Sequence, residues 1–167
     1  NVFVYIKIMA VMVKDEEKKK MFFQLFSDIA DEVYIESLMP ITDYMDYSAG
    51  GYSDFSKTLY GEQVKEVTVC TNPFYSCIVD YDGTVYPCCV TPVPKKFEKL
   101  SEVGMNKIWN GEEYNSFLIS LLSGEAYQNN FACRGCNRRK YMALETDSLE
   151  EKKELLLKSY YEKIYQK

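Results

Sequence analysis

The 167-residue chain is 47% hydrophobic and 27% charged, with a net charge of -5 and no histidine. That balance is ordinary for a globular protein of one domain or two small ones, and a pI near 4.9 argues against a basic nucleic-acid-binding surface. No apolar run approaches the roughly 18 to 20 residues needed to span a bilayer, and without histidine any transition-metal site must rely on thiolate and carboxylate.

The opening Asn1-Val-Phe-Val-Tyr-Ile-Lys-Ile8 lacks the basic start and small-residue cleavage site of a signal peptide. Because it starts inside a strand-like run, the chain reads as part of something longer. Val2 through Val13 is a nearly continuous apolar run, which predicts a strand covered on both faces. Lys14-Asp15-Glu16-Glu17 then opens a helix, with Asp15 as cap and acidic residues suiting the first turn. Met21, Phe22, Leu25, Phe26 and Ile29 repeat at helical spacing, and Asp31 to Glu36 follows as a short strand. This is one βαβ unit of parallel type, unable to bury both strand faces by itself.

Residues 37 to 61 are polar and rich in tyrosine and glycine, without a period, and Ala49-Gly50-Gly51 marks a flexible point. Cys77 to Tyr81 and Thr84 to Pro87 flank Asp82-Gly83, a hairpin signal because glycine readily takes a positive φ. Pro87, Pro92 and Pro94 then end the sheet. Ser101 is placed to cap a short helix carrying Val103, Ile108 and Trp109. After Gly111, a second stripe of Tyr114, Phe117, Leu118, Leu121 and Leu122 ends at Gly124. Ser148-Leu-Glu-Glu151 has the form of a capping box for a last helix with Leu156, Tyr160 and Ile164 on one side.

Four of the six cysteines form a two-part pattern. Cys70 is followed after twelve residues by Gly83, then after four more by Cys88; far downstream comes Phe-Ala-Cys133-Arg-Gly-Cys136-Asn. A Cys-x-x-Cys turn aims two sulfurs at one centre, and a second pair from elsewhere completes a tetrahedral four-thiolate site for zinc or iron–sulfur. Cys77 lies within a strand and Cys89 should point away from its neighbour Cys88, so both read as ordinary apolar filling outside the site. A thioredoxin-like redox turn lacks its context, since no strand leads into a helix at Cys133. Three disulfides in a secreted protein are disfavoured by the length and the absence of an export signal.

The stretch from Cys70 to Cys89 resembles the opening of the SPASM/twitch domain, appended C-terminally to radical S-adenosylmethionine (radical SAM) enzymes and beginning C-x(9–15)-G-x(4)-C. Leu100 to Asn110 and Cys133-Arg-Gly-Cys136 are similar to later parts of that family, in the same order. No cysteine follows Cys136, as in the one-cluster twitch variant. The resemblance implies that Cys70, Cys88, Cys133 and Cys136 ligate a single auxiliary 4Fe–4S cluster. It implies an α+β fold, with residues 1 to 60 as the last strand–helix–strand of a radical SAM barrel, 61 to 142 as the cluster domain and 143 to 167 as a C-terminal helix. The implied partners are the rest of that barrel and a small-molecule or peptide substrate of a cytoplasmic parent enzyme, with neither nucleic acid nor membrane involved. The triplet Cys-x-x-x-Cys-x-x-Cys that holds the S-adenosylmethionine-cleaving cluster does not occur in these residues, so the chain is not expected to be catalytic alone. Arg134, Arg138, Arg139 and Lys140 are candidates to offset the charge of a buried cluster, with Asn72 and Asn137 as further donors. A structural four-cysteine zinc module for protein contacts is the competing reading.

Overall fold

Strand β1 (Tyr5–Met9) pairs in parallel with β2 (Glu32–Glu36), from Tyr5 opposite Glu32 to Met9 opposite Glu36. They are the strands of the expected βαβ unit in a computed structural model that describes residues 2–47 and 55–165. Between them runs α1 (Glu16–Phe26), where the Asp15 carboxylate accepts from the Lys18 amide at 2.8 Å and Glu16 and Glu17 occupy the first turn. Phe22 is buried from this helix and packs on Phe26 with ring centroids 5.4 Å apart. The expected long strand from Val2 to Val13 is shorter. Its ladder can extend only as far as five-residue β2, so the chain turns at Ala10–Met12 and the Val13 amide finds the Ala10 carbonyl instead. Nor is β1 covered on both faces: Ile6 and Ile8 are partly buried while Tyr5, Lys7 and Met9 are exposed, because the described residues of this unit hold a single α-helix to lay against the pair. The exposed side is polar, with Lys7 Nζ bonded to Glu36 at 2.8 Å and the Tyr5 and Tyr34 rings stacked. The anticipated flexible point at Ala49-Gly50-Gly51 lies outside the described residues.

The chain divides into two compact units, one made of residues 1–40 and 45–65, the other of 41–44 and 66–167. In the second, β3 (Ile78–Val79) and β4 (Val85–Tyr86) form the anticipated hairpin. Gly83 sits at φ 84° and donates its amide to the Asp80 carbonyl at 2.9 Å, while Asp82 Oδ1 accepts from the Thr84 amide. A return segment runs along the other side of β4, with the Phe97 amide donating to Val85 and Thr84 bridging Lys99.

Short helices α2 (Leu100–Val103) and α3 (Met105–Trp109) follow, separated by Gly104 at φ 83°. Ser101 does not cap: the bridge to Thr84 holds Lys99 extended, so the helix begins at Leu100 and Ser101 falls inside it. Helix α4 (Glu112–Ser123) runs between Gly111 and left-handed Gly124, as its pattern predicts, and supplies most of the core. Tyr114, Phe117, Leu118 and Leu121 pack with Val85, Phe97, Ile108 and Ala126. The Tyr114 hydroxyl, fully buried, donates to the Pro73 carbonyl at 2.9 Å.

Three one-turn helices come next, α5 (Ala126–Asn129), α6 (Phe131–Arg134) and α7 (Arg138–Tyr141), before α8 (Lys153–Tyr165) packs on α4. The architecture is α+β. The expected capping box at Ser148 is not formed, since Glu150–Lys152 makes a tight turn ahead of α8. Ser148 Oγ accepts only the Glu150 amide, and the Glu150 carboxylate is engaged elsewhere. It accepts the Thr68 amide at 2.7 Å, the Val69 amide at 3.2 Å and the Thr68 hydroxyl, fastening the segment that leads into Cys70.

Burial alone would push the Glu150 carboxyl up, but the Thr68 and Val69 donors outweigh it and hold it below the usual value of 4.5. A depressed carboxylate contributes stability above its unfolded pKa and loses it as pH falls through the lowered folded value. Glu150→Gln is therefore expected to lower the urea midpoint at pH 7, with the gap to the unsubstituted chain narrowing as pH falls below about 4.5. Leu121→Ala, which empties a core site on α4, is expected to cost about 2–5 kcal/mol in the same unfolding measurement.

Candidate metal centre

The four cysteines of the two-part pattern reach one place from four local structures. Cys70 follows buried Val69, and its amide donates to the Tyr127 hydroxyl at 2.7 Å. Asn72–Phe74 then turns with Pro73 inside it, which brings the Asn72 amide back onto the Cys70 sulfur. Cys88 comes just after β4 and buried Pro87, and its sulfur accepts from the Val90 amide. Cys133 lies in α6, capped by Asn130, whose Oδ1 accepts from the Ala132 and Cys133 amides at 3.0 and 3.3 Å. The Cys136 amide closes the turn on the Cys133 carbonyl, and the Cys136 sulfur accepts from the Arg138 amide. At Cys70, Cys88 and Cys136 alike, the amide two residues on points at the sulfur. Such donors favour the thiolate, the form that binds metal.

Two small cavities, of about 40 and 30 Å3, share Cys70, Cys88, Cys136 and Arg139 on their walls, and Cys133 closes the inner one beside Phe117, Leu121 and Tyr127. Burial pushes all four thiols up, Cys70 and Cys133 to about 12, and the neighbouring cysteines add to the shift. Arg138 opposes it at Cys70, Cys88 and Cys136, and Arg139 at Cys133 and Cys136. Four thiolates crowded in a poorly solvated site are unstable alone, so ionising them requires a compensating cationic centre. Among the described residues, no three His, Cys, Asp or Glu side chains are gathered tightly enough to hold one metal ion. A tetrahedral zinc site with Zn–S of about 2.3 Å would draw its sulfurs to roughly 4 Å of one another. Four thiols that line a common cavity are a donor set of the kind iron–sulfur clusters take, and the residues present fit such a group.

The basic residues at the turn divide. Arg138 lines the outer cavity, and Arg139 lies over the Tyr127 ring at 4.2 Å with its Nε buried and without a hydrogen-bond partner. Arg134 instead lies over Phe131, and Lys140 reaches toward Glu66, so neither is directed at the sulfurs. Asn137 is also turned away, its Nδ2 donating to Asp43 at 2.6 Å, while Asn72 serves through its backbone. Cys77 packs on the core with its sulfur 4.0 Å from Met105 Sδ, and Cys89 is exposed; neither lines the cavities.

Residues 70–137 match the family SPASM, an iron–sulfur cluster-binding domain, from Cys70 itself to one residue past Cys136. This stretch is what the chain shares with the SPASM family. Among curated proteins and among solved structures, none matches the chain. That family is described by its binding of an iron–sulfur cluster, and the thiol-lined cavity lies within the matched stretch. Some supports of the cavity were not foreseen from the sequence: Tyr127 under Cys70, Glu150 behind it, and residues 41–44 beside the Cys133 turn. Only Gly135, within Cys-Arg-Gly-Cys, signals a close approach in advance.

The thiols of the metal-free protein are expected to differ in reactivity. Alkylation at pH 8 followed by mass spectrometry should modify exposed Cys89 first and Cys70 and Cys133 last, with the slow pair accelerating as pH rises toward their elevated pKa values.

Proposed function

We propose that Cys70, Cys88, Cys133 and Cys136 bind a single 4Fe–4S cluster, and that the chain is the auxiliary-cluster part of a radical SAM oxidoreductase or maturase. The observation that carries this reading is the convergence of four thiols on one cavity within the SPASM domain. A bound cluster of this kind supplies one-electron transfer at a fixed potential. The protein fills all four iron positions with cysteine, which leaves no open site for substrate and favours electron transfer and scaffolding over Lewis-acid chemistry. Arg138 and Arg139 offset the negative charge of the thiolates, and positive charge held there favours the reduced state.

The strand–helix–strand unit extends the reading. Around its parallel pair, Val2, Phe3 and Ile29 and, on α1, Met21 and Leu25 are exposed, as expected of a piece of a parallel barrel whose other strands and helices would cover it. Those missing elements are the proposed partner, and they would carry the radical-generating site and most of the substrate pocket. No helix of the described residues is long and apolar enough to cross a membrane, and a cytoplasmic setting suits reduced thiols.

Anaerobic reconstitution tests the proposal. About four iron and four acid-labile sulfide per chain are expected, with loss of the cluster on Cys133→Ser or Cys136→Ser and retention in Cys77→Ser and Cys89→Ser. Zinc without sulfide would overturn it in favour of a structural zinc module. In the complete enzyme, activity that survived loss of Cys133 and Cys136 with the fold intact would remove the electron-transfer role.

A further inference from the structure

Residues 41–44 lie outside the SPASM domain in sequence, yet they pack on its cysteine turn. Thr42 forms an antiparallel bridge with Cys136. The Asp43 amide donates to the Gly135 carbonyl at 2.9 Å, and the Asn137 amide donates to the Ile41 carbonyl at 3.1 Å. The buried Asn137 side chain donates to Asp43 Oδ1 at 2.6 Å. The Tyr44 ring stacks on Phe131 at 4.5 Å and 4°, and its hydroxyl donates to the Phe131 carbonyl at 3.0 Å. A Cβ on Gly135 would stand 2.3 Å from the Tyr44 ring, so glycine is what lets the ring lie against the turn. Hydrogen bonds thus grip the chain on both sides of Cys136, and a stacked ring pair holds the helix that carries Cys133.

We infer that residues 41–44 are a clasp for the cluster site, in which Asp43 and Tyr44 are positioning residues that hold Cys136 and Cys133 at their iron atoms and in which the Asp43 charge lowers the cluster potential. The inference rests on the cluster-binding reading above. Partners behind metal ligands fix ligand orientation, and their loss typically weakens metal retention by about 10- to 100-fold. The Asp43 carboxylate accepts directly from the side chain of Asn137, the residue after Cys136. A negative charge near the cluster disfavours the added electron, and its effect weakens in salt because Asp43 is exposed.

The test uses the full chain, reconstituted without oxygen, with iron release to a chelator and the midpoint potential as readouts. Tyr44→Ala and Gly135→Ala are expected to retain iron about 10- to 100-fold less well. Tyr44→Phe, which keeps the stack, should recover most of the loss. Asp43→Asn keeps an acceptor for Asn137, so it should hold its iron while its potential rises, more at low salt than at high salt. Tyr81→Ala, at a side chain 98% exposed on the hairpin, is the control and should change neither readout. Wild-type-like retention in Tyr44→Ala and Gly135→Ala overturns the clasp, as does an unmoved potential in Asp43→Asn. If the two bulkier changes unfold the chain by circular dichroism, Asp43→Asn alone decides. An unsubstituted chain that takes up no iron and sulfide sinks the cluster reading and the clasp with it; a loaded chain with indifferent variants sinks the clasp only.

Discussion

The second unit is organised around an electrostatic conflict. It gathers four thiols where water is scarce, so burial raises the pKa of all four, neighbouring cysteines add to it, and none ionises cheaply. Amides aimed at three of the sulfurs and two arginines push the other way. Burial favours the neutral thiols and these donors the thiolates, so arrival of a cationic inorganic core at this site would link metal uptake to proton release.

That conflict can be sustained only if the backbone is held independently of the metal. Cys70 is fixed from behind by Tyr127 and, through Thr68 and Val69, by Glu150 at the foot of α8. Cys88 follows a hairpin whose strand is embedded in the α4 core through Val85. Asn130 caps the helix of Cys133 and also donates to the Pro94 carbonyl at 2.8 Å, joining the two halves of the cysteine pattern without a sulfur. The helical core thus supplies the rigidity, and the cysteines occupy its irregular margin, where turns can aim a sulfur.

Elements governed by local rules were legible in the sequence. Asp15 before an acidic turn, Asp82-Gly83 between apolar runs, and the α4 stripe between Gly111 and Gly124 each obey short-range chemistry and lie where that chemistry puts them. The cysteine spacing likewise marked the thiols that share a cavity; Cys77 and Cys89 stand apart from it, but outside β3 and β4, so strand alternation is not the reason. Legibility failed where a distant partner decided the outcome. Ser101 lost its cap to a bridge from Thr84, and the capping box at Ser148 gave way to a tight turn at Glu150–Lys152, whose first carboxylate is held by Thr68, eighty-two positions away. Asn137 looked like a donor for the sulfurs, but Asp43, far upstream in a stretch with no period, takes its side chain. No local pattern announces such pairings.

The path of the chain has a practical corollary. Residues 41–44 belong to the compact unit that holds the cysteines, while 1–40 and 45–65 belong to the other, so the polypeptide crosses the boundary at 40/41, at 44/45 and again at 65/66. No single cut of the chain therefore separates the two units. Excising 70–137, the stretch that a family comparison would suggest, would discard Thr42, Asp43 and Tyr44 together with Glu150 and α8. The four cysteines would survive such surgery, but much of what holds their backbone in place would not.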